Sequence, residues 1–126
     1  QWIGFLVSHS SGLSGMREVS IDSKKITDRS LQEFYRLPML KRVYLDRSSV
    51  TDTGMPILHE MPGLRDLSLA DTSVTDVGLL ALAGTSLRCV AVQKSAITEE
   101  GVKRFQQRMP DCFVGPSWEW PHKLLD

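Results

Sequence analysis

The chain has 126 residues, 41% of them hydrophobic, and sets 15 Lys and Arg against 15 Asp and Glu. That length fits one domain with enough apolar residues for a core. Zero formal charge argues against a nucleic-acid binder, which works by neutralising phosphates, and against an anionic membrane surface as the main partner.

The chain opens at Gln1 rather than Met, so it reads as an excised fragment or a mature form. Trp2-Ile3-Gly4-Phe5-Leu6-Val7 is too short for a signal-peptide core with its flanks. Residues 1–15 are read as an N-terminal cap, with Trp2, Ile3, Phe5 and Leu6 expected in a short helix and Ser8 to Gly12 in a loop. No segment nears the roughly 18 apolar residues that span a bilayer, so no membrane insertion is expected of this stretch.

From residue 16 the sequence repeats. Ile26-Thr27-Asp28, Val50-Thr51-Asp52 and Val74-Thr75-Asp76 recur at a spacing of 24, and Ile97-Thr98-Glu99 follows after 23. Other columns keep step. Met16, Leu40, Leu64 and Leu87 open the units. Val19, Val43, Leu67 and Val90 follow three residues later, then Ile21, Leu45, Leu69 and Val92. This L-x-x-L-x-L segment has the period of two of a short strand with one buried face.

A Ser/Thr-rich turn comes next, and then Thr as a helix N-cap with an acidic residue in the first turn. A helix of about nine residues is expected in each unit, with apolar pairs three apart: Leu31 and Phe34, Met55 and Leu58, Leu79 and Leu82, Val102 and Phe105. Gly54, Gly78 and Gly101 recur early in these helices. A helical glycine costs about 1 kcal/mol, so its recurrence implies close approach of a neighbouring element. Pro38, Pro62 and Pro110 close three units.

Val74-Thr75-Asp76-Val77-Gly78-Leu79 carries a T-D-x-G-L helix start, and Met109-Pro110-Asp111-Cys112 is similar to an L-P-x-C ending. On these motifs residues 16–114 resemble the leucine-rich-repeat family, in the subgroup found in ribonuclease-inhibitor-like, F-box-associated and bacterial arrays. The resemblance implies an α/β fold: a short right-handed solenoid or horseshoe of four repeats plus a partial last strand. Parallel strands would line the concave face and helices the convex one. It also implies a binding scaffold, without naming a ligand. Two features depart from the pattern. The first unit has Ser30 where the others have glycine, and Ser48, Thr72 and Ser95 stand where many relatives carry an asparagine ladder. Hydroxyls there still suit the turn backbone.

Residues 115–126 form a C-terminal tail. Gly115 to Pro121 reads as non-helical, either an extended cover over the last repeat or a linear motif anchored by Trp118 and Trp120. Cys112 is expected as a small buried hydrophobe in the last strand.

The strand face is the expected partner surface. Arg17, Lys41, Arg65 and Arg88 form one column, flanked by Glu18, Arg42, Asp66 and Cys89 and then by Ser20, Tyr44, Ser68 and Ala91. The basic column either recognises acidic groups of a protein partner or is a solvated, salt-bridged sheet surface. Tyr44, between Arg42 and Arg47, stands out as a hot-spot candidate, and an ordinary exposed strand tyrosine is the alternative. The candidate contacts are thus Arg17, Lys41, Arg42, Tyr44, Arg47, Arg65 and Arg88.

A protein-interaction module, monomeric in itself, is the leading expectation. A structural subunit docking through its ends or its Trp tail is the second. Catalysis has little support. His9, His59 and His122 fall at different places in the repeat, and Cys89, expected exposed beside Arg88, has no histidine partner. No phosphate loop is present, Cys89 and Cys112 lack zinc-ligand spacing, and no cofactor is expected.

Overall fold

The structure, a computed structural model, describes residues 5–7 and 15–121. The fold is α/β. Six strands form one sheet in chain order: β1 (Phe5–Val7), β2 (Glu18–Ile21), β3 (Arg42–Tyr44), β4 (Asp66–Ser68), β5 (Cys89–Ala91) and β6 (Phe113–Gly115). The five strands β2 to β6 run parallel. Parallel neighbours need a long crossover, and each repeat supplies one.

The register follows the sequence period. Val19 pairs with Val43, Val43 with Leu67, Leu67 with Val90 and Val90 with Val114. A slip of one residue would turn every core side chain outward. In this register Val19, Val43, Leu67 and Val90 are all fully buried, and the opening residues Met16, Leu40, Leu64 and Leu87 are buried too. They share one core with Leu31, Phe34, Met55, Leu58, Leu79, Leu82 and Phe105 from the crossovers. Val92, Val102 and Val114, in the last turns of the array, are only partly buried.

The N-terminal segment differs from the expected helix. Phe5–Val7 is a strand, antiparallel to β2, with Phe5 opposite Ile21 and Val7 opposite Val19. The cap thereby pairs the backbone groups of an edge strand, which a helix of one or two turns, marginal in water, would leave unpaired. Trp2, Ile3 and the Ser8–Gly12 loop lie outside the described residues.

The crossovers also depart from four nine-residue helices. The first is a 3-10 helix over Asp28–Arg36. The second begins as a 3-10 turn, Asp52–Gly54, and continues as α1 (Met55–His59) with Pro56 in its first turn. The third is only α2 (Asp76–Leu80), and the fourth is a full helix, α3 (Glu99–Arg108). Side-chain spacing explains the first and last cases. A 3-10 helix has three residues per turn, and Leu31, Phe34 and Leu37 are buried at that interval. In α3 the buried pair is Gly101 and Phe105, four apart, as an α-helix requires.

Neighbouring units are tied by a ladder of carboxylates. Asp28 accepts bonds from the Thr51 backbone N–H at 2.7 Å and its hydroxyl at 2.5 Å. Asp52 does the same for Thr75, again at 2.7 and 2.5 Å, and Asp76 for Thr98 at 2.7 and 2.6 Å. Each threonine also caps its own helical segment: Thr51 accepts from Thr53, Thr75 from Val77 and Thr98 from Gly101. The recurrent glycines make room for this. A Cβ at Gly54, Gly78 or Gly101 would stand against the carboxylate of Asp28, Asp52 or Asp76.

The turn after each strand is held from within. Ser48, Thr72 and Ser95 donate to the carbonyls of Leu45, Leu69 and Val92 at 2.8, 2.7 and 2.7 Å. Arg47, Asp71 and Lys94, one residue earlier, all have positive φ, at 59°, 55° and 59°. That conformation disfavours L residues, least so Asp, and the repeat imposes it three times.

Candidate functional site

The sheet face turned away from the core carries the expected contacts, built as three rows. The first runs Glu18, Arg42, Asp66, Cys89 and Phe113. Adjacent strands lie about 4.8 Å apart, so alternating charges on this row meet. Arg42 stands 3.5 Å from Glu18 and 3.3 Å from Asp66. Arg88 grips both oxygens of Asp66, at 3.2 and 3.1 Å, the two-pronged geometry in which a guanidinium binds a carboxylate best. Asp66 is fully buried and the Arg42 side chain is only 13% exposed. Arg88 of the basic column is therefore salt-bridged, together with Arg42 of the flanking row.

Cys89 stands in this row and is 2% exposed. Burial pushes its thiol up to about 11, and the Asp66 carboxylate adds to that against the pull of Arg88. The expectation of an exposed cysteine beside Arg88 is thus wrong, and desolvation and Asp66 outweigh the arginine's pull on the thiol. Cys112 is also buried, as expected, with its thiol raised to about 12, chiefly by burial.

The second row is Ser20, Tyr44, Ser68, Ala91 and Gly115. The third, one pleat on, is Asp22, Asp46, Ala70, Gln93 and Ser117. Ser68, Ala70 and Ala91 are buried rather than exposed. The tail crosses this part of the face. After β6 the chain turns through a 3-10 segment, Ser117–Glu119. The Ser117 N–H donates to Gln93 Oε1 at 3.1 Å, and Gln93 Nε2 donates back to the Ser117 hydroxyl at 2.8 Å. Trp120 then meets Tyr44 edge to face, with ring centroids 5.8 Å apart and planes at 72°. Tyr44 lies three strands from β6, roughly 14 Å away. The tail is a strap across the open face, reaching well past the last repeat.

Tyr44 is consequently a half-buried anchor for the tail, not a free hot spot ringed by arginines. Its phenol is raised to about 12, mainly by burial and then by Glu18, with Arg42 opposing. Arg47 turns away from it and pairs with Asp22, its Nε donating at 2.7 Å. That ion pair holds the Asp22 carboxyl below its usual range and the guanidinium above its own. Arg17 and Arg65 are exposed and Lys41 is half-buried on the strand-entry rim. The structure thus joins Arg42 and Arg88 through Asp66, sets Tyr44 beside them, and keeps Arg17, Lys41, Arg65 and Arg47 at the margins.

Between strap and sheet lies a cavity of about 230 Å³ walled by Tyr44, Asp46, Ser68, Ser117 and Trp120. On two of these residues a polar atom, Asp46 Oδ1 and Trp120 Nε1, is buried without a hydrogen-bond partner. Sequence reading put Asp46, Ser68 and Gln93 on the strand face without singling them out, and missed Ser117. The signal was available: Ser117 falls 24 residues after Gln93, in the same column.

His59 bonds the Ala83 carbonyl at 3.1 Å, while His9 and His122 lie outside the described residues. Among the described residues no cluster of three or more His, Cys, Asp or Glu side chains could hold a metal. None of their helices is long and apolar enough to cross a membrane. No protein-family model matches the chain, and no curated protein matches it in sequence.

Proposed function

We propose that this chain is a leucine-rich-repeat solenoid serving as a protein-interaction module, with no catalytic role. The 24-residue period, the in-register parallel strands and the Asp–Thr ladder support a stacked array. The partner surface is the strand face as the strap leaves it: the Arg17 and Lys41 rim together with the outer side of the tail.

One observation carries this reading. Trp118 is 74% exposed, yet its backbone is pinned between the Ser117–Gln93 bonds and the Trp120–Tyr44 contact. A large aromatic held in solvent by a fixed segment has little freedom left to lose on binding, the property of an interface anchor. Quantitative affinity capture with Trp118→Ala, and separately with Arg17→Glu plus Lys41→Glu, tests it. Both variants should keep the wild-type melting temperature and lose the same partner. Partners held equally by all three proteins would exclude this surface. Loss with Trp118→Ala alone would favour the second reading, an assembly subunit that docks by its tail.

A further inference from the structure

The ends of the first two crossovers leave an apolar groove at the edge where the strands begin. It holds about 170 Å³ and is lined by Phe34, Leu37, Pro38, Leu40, Met61 and Pro62. Phe34, Leu37, Leu40 and Met61 belong to the core, so the groove reaches down to it from the surface. An apolar cavity of about 150 Å³ takes a benzene ring, so this one has room for a single aromatic side chain. Met39, between two of the lining residues, is 48% exposed.

The rim of the groove is basic. Lys41 follows Leu40 directly. Its N–H donates to the Arg17 carbonyl at 2.8 Å, and the Arg65 N–H donates to the Lys41 carbonyl at 2.8 Å. With Arg36, these cations outnumber the acidic neighbours Glu33 and Glu60 by four to two. Neither Arg17 nor Lys41 is in an ion pair among the described residues. The occupant that fits has an apolar anchor with a carboxylate beside it.

The chain itself carries such a segment. The exposed large apolar side chains among the described residues are Met39, Val77 and Trp118. Met39 flanks the groove, and Val77 follows Asp76, whose carboxylate is taken by Thr98. Trp118 is followed by Glu119, which is exposed and in no ion pair among the described residues. The backbone of this segment is already fixed by the strap, so docking orders little more. Ser117 is held to Gln93, past the end of β5, whereas Leu40 precedes the start of β3. Tail and groove thus lie at opposite edges of the sheet, and their contact joins two copies. Zero formal net charge sets up no overall repulsion between those copies.

We propose that the chain associates with itself head to tail: Trp118 of one copy enters the apolar groove between Leu37 and Met61 of the next, and Glu119 meets Arg17 and Lys41 on its rim. A contact between unlike patches closes into a ring or runs on as a chain. This pairing rests on the partner surface proposed for Trp118 and the rim, and names its occupant.

Sedimentation velocity of the purified 126-residue chain tests it, from about 10 µM to about 1 mM, the range suited to a small interface. The average mass should rise with concentration. Trp118→Ala should raise the dissociation constant at least about thirtyfold, the effect of truncating an interface anchor. Lys41→Glu and Glu119→Lys should each weaken association at least about tenfold by setting like charges together. An equimolar mixture of those two should recover it, since the reversed residues then face each other and Lys41 still finds Glu119. A wild-type chain monomeric at every concentration, undiminished association of Trp118→Ala, or no recovery in the mixture would each overturn the pairing. The concentration series uses wild-type protein and so does not depend on a variant folding. A monomeric wild type whose captured partner is still lost with the rim and Trp118→Ala variants would remove the pairing alone and leave the partner surface standing.

Discussion

The carboxylate of Asp52 accepts both the backbone N–H and the hydroxyl of Thr75, at 2.7 and 2.5 Å, and so fixes the helix start of the next unit. Gly78 lies against that carboxylate, with no room for a Cβ. Elsewhere, replacing a helical glycine with alanine stabilises by about 1 kcal/mol. Here the sign should invert. Gly78→Ala is expected to destabilise by about 1–3 kcal/mol, the range for overpacking a tight site, as read by urea denaturation. In an Asp52→Ala background the loss should shrink, leaving the part due to Val74 Cγ1, which stands 2.8 Å from the same Cβ position.

Asp66 is fully buried between Arg42 and Arg88. Asp66→Ala would leave two guanidinium groups facing each other without their shared counter-ion. Breaking such a pair from one side costs about 3–5 kcal/mol. A loss of that size in chemical denaturation is the expected result, and a change under about 1 kcal/mol would show that the arginines find other partners.

Trp120→Ala removes the contact that holds the strap to Tyr44. Partial exposure of both rings limits the loss to about 1–2 kcal/mol. The selective sign is local. Hydrogen exchange at the Ser117 amide, bonded to Gln93, should quicken at least tenfold while amides of β3 and β4 keep their protection. Uniform loss of protection would show that the strap is integral to the core.

The thiols and the Tyr44 phenol predict an alkaline weakness. Cys89 is raised from 9.0 to about 11, Cys112 from 9.0 to about 12 and Tyr44 from 10.0 to about 12. A raised folded value means that the folded state keeps protons the unfolded chain gives up. These contributions are complete below pH 9 and decline as pH rises from 9 towards 12. Stability should therefore fall over that window, less so in Cys89→Ser and Tyr44→Phe. At pH 8 a thiol reagent should leave both cysteines largely unmodified until denaturant is added.

Much of this was legible in the sequence, and the parts that were not share a cause. The Thr-Asp column located the ladder, and the glycine recurrence foretold a close approach at Gly54, Gly78 and Gly101. Each is a local relation copied from unit to unit, so periodicity exposes it. The 3-10 form of Asp28–Arg36 was implicit in an apolar spacing of three read as α-helical. The half-burial of Tyr44 against Trp120 was not legible, because Ser117 and Trp120 cross strands to reach Gln93 and Tyr44, a long-range fold-back that no column repeats. The same is true of the unpaired Asp46 oxygen, whose column mates Asp22 and Gln93 each find partners.

The ladder also marks where counting starts and stops. Unit one carries Ser30 in place of the glycine of the later units. Ser30 instead uses its hydroxyl to receive the Thr27 N–H at 3.1 Å. At the far end Glu99 replaces aspartate, and His122 occupies the position 24 residues after Thr98 where a receiving threonine would stand. Only the middle units carry both halves of the joint. A duplicate of residues 52–75, inserted in tandem, would bring its own Asp52, Gly54 and Thr75 and slot in as one more rung. A duplicated terminal unit would lack one half of the connection. The joint is thus modular, in the manner of a coupling whose two halves must both be present for a link to be added.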